Sequence, residues 1–102
     1  MSLVKRYLKD KTTCKVTFVM EKDVAPGAKF VFLVGDFNQW DKQATPMKQR
    51  KDGSFAASVN LEAGQEYQYR YLIDHVLWEN DWHADKYVPT IFGDVENSVV
   101  VV

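Results

Sequence analysis

GQEYQYRYLID, residues 64–74, alternates ring-bearing or aliphatic side chains with polar ones for most of its length. Tyr67, Tyr69, Tyr71 and Ile73 share one face; Gln68, Arg70, Leu72 and Asp74 share the other. Successive side chains of an extended strand point to opposite faces, so a period of two with aromatic residues reads as a strand buried on one side. Ala63-Gly64 in front of it is a turn signal. The same period recurs elsewhere. In 12–20, Cys14, Val16, Phe18 and Met20 oppose Thr13, Lys15 and Thr17. After the Lys51-Asp52-Gly53 turn, Phe55, Ala57, Val59 and Leu61 alternate with Ser54, Ser58 and Asn60.

The rest of the chain is read around these strands. Pro26-Gly27 marks another turn, and residues 29–35 are apolar on both faces, as expected of a central strand covered on both sides. A short strand over 76–79 completes a hairpin, 80–98 reads as an irregular acidic loop, and 99–102 is the last strand. Only 3–8 hints at a helical period. About seven short strands, with a turn signal every ten residues or so, predict an all-β fold, an immunoglobulin-like antiparallel β-sandwich of the early-set type. One domain is expected over 1–102, with 1–11 set apart as a peripheral N-terminal segment.

Bulk composition narrows the function. The 102 residues are 46% hydrophobic and 26% charged, values of a globular protein rather than a disordered one. A formal net charge of -1 offers nucleic acid no basic field. No stretch approaches the roughly 20 apolar residues of a membrane span, and the basic start lacks the apolar core of a signal peptide. Cys14 stands alone, cannot form an internal disulfide, and is expected half-buried in its strand. A cytoplasmic, reducing setting is the expectation, without membrane or nucleic-acid partners. Charge is uneven, with cations early and carboxylates over 74–96, as solvated loops commonly are.

Catalytic groups do not converge. Asp81, His83 and Asp85 alternate, but one imidazole with two carboxylates lacks the clustering of a closed zinc site, and they read as solvated loop residues. No serine occupies a nucleophile elbow, no glycine-rich loop opens a helix, and a single small sandwich rarely sets two carboxylates across a cleft. The sequence calls for no enzyme, no metal and no cofactor.

Tryptophans point to binding instead. In 34–41, VGDFNQWD, a strand ends in a turn that carries Trp40 between Gln39 and Asp41, with Phe37 anchoring the turn to the core. Asp36 and Asn38 there read as turn-formers that bond local backbone. Trp78 runs into Glu79, Asn80 and Asp81, toward solvent, and Arg70 lies opposite the tyrosine face. A pyranose ring offers an indole a face of C–H groups, and its hydroxyls suit Arg, Asn, Gln and carboxylates at the edges. Single-strand nucleic-acid binders pair aromatics with a basic groove, whereas the late loops here are acidic, so sugar is favoured.

Gly35-Asp36-Phe37-Asn38-Gln39-Trp40, residues 64–74, Trp78 and Glu96-Asn97-Ser98-Val99 together resemble the family 48 carbohydrate-binding modules, over about 12–102. These are the glycogen-binding domains of AMP-activated kinase β subunits and the N-terminal domains of isoamylases and branching enzymes. The resemblance implies an immunoglobulin-like sandwich that binds α-1,4-glucan such as glycogen, starch or maltooligosaccharide. It implies sugar stacking on Trp40 and Trp78, hydroxyl contacts from Arg70, and Phe92 where the family has a leucine in the curve of the glucan. Glu96 replaces the family's sugar-binding asparagine, with Asn97 beside it. The alternative is a scaffold domain with a degenerate sugar site, partnering a glycoside hydrolase, branching enzyme or kinase.

Overall fold

The period-two stretches pair with one another. In the computed structural model, which describes residues 3–91 and 95–102, the strands are β1 (Leu3–Tyr7), β2 (Thr13–Met20), β3 (Val31–Gly35), β4 (Lys48–Gln49), β5 (Phe55–Glu62), β6 (Glu66–Ile73), β7 (Leu77–Glu79), β8 (Lys86–Pro89) and β9 (Glu96–Val101). Short 3₁₀ turns occupy Lys22–Val24 and Asp36–Asn38. The strands form two antiparallel sheets, β1-β2-β5-β4 and β3-β6-β9-β8, with β7 also paired to β6. The two sheets pack as a β-sandwich.

Register carries each alternation to one side. Cys14 lies opposite Leu61 and Phe18 opposite Ala57; Val31 lies opposite Ile73 and Leu33 opposite Tyr71. These faces meet in a core of Cys14, Val16, Phe18, Met20, Val31, Leu33, Phe55, Leu61, Tyr69, Tyr71, Ile73 and Val100. Burying each large side chain is worth about 1.5–3 kcal/mol. Phe18 and Tyr69 meet edge to face at 4.9 Å, joining the sheets at their centre. Cys14 is fully buried, deeper than its alternating pattern alone suggests.

The doubly apolar stretch 29–35 has a specific cause. Val31 and Leu33 face the core, while Val34 and Phe32 face outward opposite Arg70 and Leu72. Val34 and Leu72 are nevertheless buried, so the outer face of this sheet carries a second apolar layer. On its other edge, β3 is closed by the chain returning from the 36–44 loop. Leu33 N–H donates to Thr45 C=O at 2.9 Å and Met47 N–H to Val31 C=O at 2.8 Å. The next two residues cross to the opposite sheet as β4.

Four strands depart from the sequence reading. Residues 3–7 are not helical; they pair with β2 from Leu3↔Phe18 to Tyr7↔Cys14. β4 is two residues long, too short for any period to show. β8 lies inside the stretch read as an irregular loop, and β9 starts at Glu96. A short strand that ends in proline with mostly exposed side chains has no alternation to read; its pairing with β9 defines it. The sandwich's open side is bridged by Lys5 Nζ donating to Asp85 Oδ2 at 2.7 Å. An inward-pointing lysine on an edge strand also discourages pairing with another chain.

Asp81 corrects another expectation. It is not a solvated loop residue but 1% exposed. Its carboxylate accepts from Tyr69 Oη at 2.7 Å, Tyr71 Oη at 3.3 Å and the His83 N–H at 3.0 Å, and its own N–H donates to Ser98 Oγ at 2.8 Å. Burial, with the neighbouring carboxylate adding to it, pushes both phenols well above their ordinary range, so they remain protonated donors. The acidic segment is thus tied to the core by satisfied polar bonds rather than apolar packing.

Candidate functional site

A turn with two residues in the left-handed region, Gln39 and Trp40 (φ +57° each), presents the first indole. Such backbone costs of order 1–3 kcal/mol per residue unless surrounding bonds hold it. Trp40 N–H donates to Gly35 C=O at 2.9 Å. Asn38 Oδ1 accepts from Gly35 N–H at 3.0 Å, while its Nδ2 donates to Leu33 C=O and Thr45 Oγ1. Phe37, partly buried, packs toward Phe18 at 5.5 Å. Asp36 does more than form the turn. It accepts from Trp40 Nε1 at 2.9 Å and from the Gln68 N–H at 2.8 Å, so one carboxylate fixes the indole to β6. Gly35 makes this approach physically accessible: a Cβ there would stand 2.5 Å from Gln68 O and 2.7 Å from Tyr69 Cβ.

Trp78 arrives from β7, opposite Leu72 of β6, and is 36% exposed. Lys42 Nζ stands 5.9 Å from its ring centroid, within the range of cation–π attraction. A polar row runs along the same groove. Arg70 Nε donates to Asn97 Oδ1 at 2.6 Å, and Asn97 Nδ2 donates to Gln68 Oε1 at 2.9 Å. The Arg70 Nη groups keep no partner among the described residues, which leaves their N–H donors for a ligand. Trp40, Gln68, Arg70, Trp78 and Asn97, with Pro89, Thr90, Ile91 and Val95, line an open groove of about 460 Å³ on the outer face of the β3-β6-β9-β8 sheet.

Of the residues singled out in the sequence, the structure brings Trp40, Arg70, Trp78 and Asn97 together in this groove. Glu96 does not line it; next to Asn97 on a strand, it takes the opposite orientation, and its carbonyl accepts from Asn80 Nδ2. Phe92 lies outside the described residues. Gln68 was absent from the sequence reading of the site, although the alternation that places Arg70 outward places Gln68 beside it. Lys42, Pro89, Thr90, Ile91 and Val95 carried no periodic signal. Trp82 stands apart from the groove, 55% exposed, with Nε1 toward Glu79 Oε1 at 3.4 Å.

The groove can stack flat apolar faces and offer rim donors and acceptors. Among the described residues no group of three or more His, Cys, Asp and Glu side chains is arranged to hold a metal ion, and no helix is long and apolar enough to cross a membrane.

A family model and two sequence relatives match this chain. Residues 14–88 match carbohydrate-binding module 48, the isoamylase N-terminal domain. The 1,4-alpha-glucan branching enzyme GlgB of Aquifex aeolicus is 52% identical over 71 residues, which are 67% of this chain and 10% of the enzyme. The 5'-AMP-activated protein kinase subunit beta-1 of Sus scrofa is 36% identical over 75 residues, 74% of this chain and 57% of the subunit. The chain therefore spans a small part of the first relative and little more than half of the second. Among solved structures, the ferric enterobactin esterase of Salmonella typhimurium superposes with a TM-score of 0.59 over 91% of this chain and 24% of that one. At 16% identity that likeness concerns the fold alone.

Proposed function

The chain belongs to the carbohydrate-binding module 48 family, and from that premise we propose that it binds α-1,4-glucan without chemically altering it. The observation that carries this reading is that Trp40 and Trp78 line one groove together with the hydrogen-bonded Arg70–Asn97–Gln68 row. Helical α-glucans curve, and two indoles joined by hydroxyl-seeking groups suit a curved strand of glucose rings better than a single stacking face would. The similarity to a branching enzyme and a kinase subunit supports glycogen or a related polymer as the ligand and a cytoplasmic setting. An open groove leaves much of its ligand in water, so affinity is expected in the micromolar to millimolar range, roughly -4 to -8 kcal/mol. Several modules, or several chain ends on a branched polymer, would raise apparent affinity through effective concentration. The module's role is to bring attached or associated chemistry to the polymer.

The test is intrinsic tryptophan fluorescence titrated with maltoheptaose and β-cyclodextrin, with cellohexaose as the control. A saturable change with the α-glucans, abolished in Trp40→Ala and Trp78→Ala and missing with cellohexaose, is the expected result. A folded protein that shows no change at several millimolar glucan, of the order of a Kd near -4 kcal/mol, overturns it.

A further inference from the structure

The opposite outer face of the sandwich has a different chemistry. On the β1-β2-β5-β4 sheet, Leu3, Cys14, Val16, Phe18, Phe55 and Leu61 face the core, so the alternate positions face away. Register sets them in rows: Val4 beside Thr17 and Ser58, Arg6 beside Lys15 and Asn60, Lys48 beside Ala56. Arg50 and Lys51 follow Lys48 and, with it, rim a shallow basin of about 570 Å³ floored by Thr17, Ala56 and Ser58. Glu62, at the far end beside Thr13, is the single carboxylate at these outward strand positions.

Two features mark this row of cations. Arg6 and Lys15 are direct cross-strand neighbours of like charge, an arrangement that destabilises a sheet by a few tenths of a kcal/mol or more. Elsewhere Lys5 pairs with Asp85 and Lys86 with Glu66. The side chains of Arg6, Lys15, Lys48, Arg50 and Lys51 form no direct ion pair or hydrogen bond among the described residues, and only Arg50 has a nearby carboxylate, Asp52, which feels its charge. On the floor, Thr17 Oγ1 and Ser58 Oγ lie 2.9 Å apart. When one donates to the other, the second hydroxyl still has a proton to give to an oxyanion.

We propose that this face docks an acidic segment of a partner protein, whose carboxylates meet Arg6, Lys15, Lys48, Arg50 and Lys51 across the Thr17–Ser58 floor. The face carries no aromatic ring, so it cannot stack a sugar or an unpaired base. A floor of threonine, alanine and serine lets an extended chain lie close to the sheet. Because the basin and the aromatic groove are on opposite faces, a partner can be held while glucan is bound.

The test uses a fluorescein-labelled peptide of alternating Asp and Glu, followed by anisotropy at low and at physiological salt. Saturable binding that weakens about ten-fold or more in Lys15→Glu/Lys48→Glu, but not in the equally charge-reversed Lys9→Glu/Lys29→Glu, is expected. Saturating maltoheptaose should leave peptide affinity unchanged. Equal loss in both double variants, competition by maltoheptaose, tighter binding of a duplex DNA of matched charge, or no binding at low salt each overturns the proposal. Circular dichroism checks the fold of each variant. Lys15→Gln/Lys48→Gln, which removes charge without reversing it, gives a second reading and should weaken binding in the same direction.

Discussion

Two turns place consecutive non-glycine residues in the left-handed region, and they are used differently. Gln39-Trp40 follows β3; Asp74-His75 (φ +51° and +65°) joins β6 to β7. The second is closed by Val76 N–H donating to Ile73 C=O at 3.1 Å, with the φ signs of a hairpin turn that usually carries Asn-Gly or Gly-Gly. Each turn is held by one aspartate. Asp36 ties the Trp40 indole to β6, while Asp74 Oδ1 accepts from the Lys29 and Phe30 N–H groups at 2.8 and 2.9 Å. His75 packs toward Phe30 and Phe32 at 5.5 and 5.1 Å. Both turns therefore store backbone strain and offset it locally, but only the first aims a side chain into a cavity. Strain by itself does not mark a binding site; strain that displays an aromatic ring over a groove does.

Gly35→Ala introduces a Cβ against Gln68 O and Tyr69 Cβ at the base of the first turn. Urea denaturation should show a loss of about 2–3 kcal/mol, as overpacking between strands does, with weaker glucan binding because the Asp36 turn moves. A change under about 0.5 kcal/mol would mean β3 and β6 separate without penalty. Next in size, Asp36→Ala should lower maltoheptaose affinity about ten-fold, near 1.4 kcal/mol, by releasing the indole. Asp74→Ala should leave affinity alone while lowering the melting temperature; equal effects of the two on affinity would erase the distinction.

Acid titration separates the turns further. The backbone N–H groups of Phe30 and Lys29 hold the Asp74 carboxyl below its ordinary value of 3.8. A carboxyl whose pKa is lower folded than unfolded adds stability that is complete above the unfolded value and lost as pH falls through the folded one. The melting temperature should therefore drop below pH 3.8, less steeply in Asp74→Asn. A wild type and variant with parallel acid limbs would refute the role given to Asp74. The smallest effect is expected from glycine. Gln39→Gly relieves the left-handed strain of an exposed residue and should raise stability by about 0.5 kcal/mol, net of the greater freedom of the unfolded chain. His75→Gly gains the same relief but loses the contacts with Phe30 and Phe32, so its net change should be smaller. A larger gain from His75→Gly would show those contacts to be idle.

Much of this protein is legible along the chain. The alternations at 12–20, 55–61 and 64–74 specify which side of each strand meets the core, because side-chain direction in a strand is a local property of the backbone. The same rule sends Arg70 outward, and the turn at 35–41 announces Trp40 by putting an indole where polar residues are usual. Composition was enough to exclude a disordered chain or one with a long apolar helix.

Other features exist only through pairing. β8 is a strand because β9 lies beside it, β4 because the chain crosses from one sheet to the other there, and β1 because β2 offers it an edge. Asp81 looks like any loop carboxylate until two tyrosine hydroxyls from the core face of β6 converge on it. Asn97 rather than Glu96 enters the groove because the register of β9 against β8 and β6 selects one of two neighbours for that face. Lys42 meets Trp78, and Asp36 meets Gln68, across 36 and 32 positions of chain, separations no local pattern encodes. Local backbone geometry determines which way a side chain points; the packing of two sheets decides what it finds there.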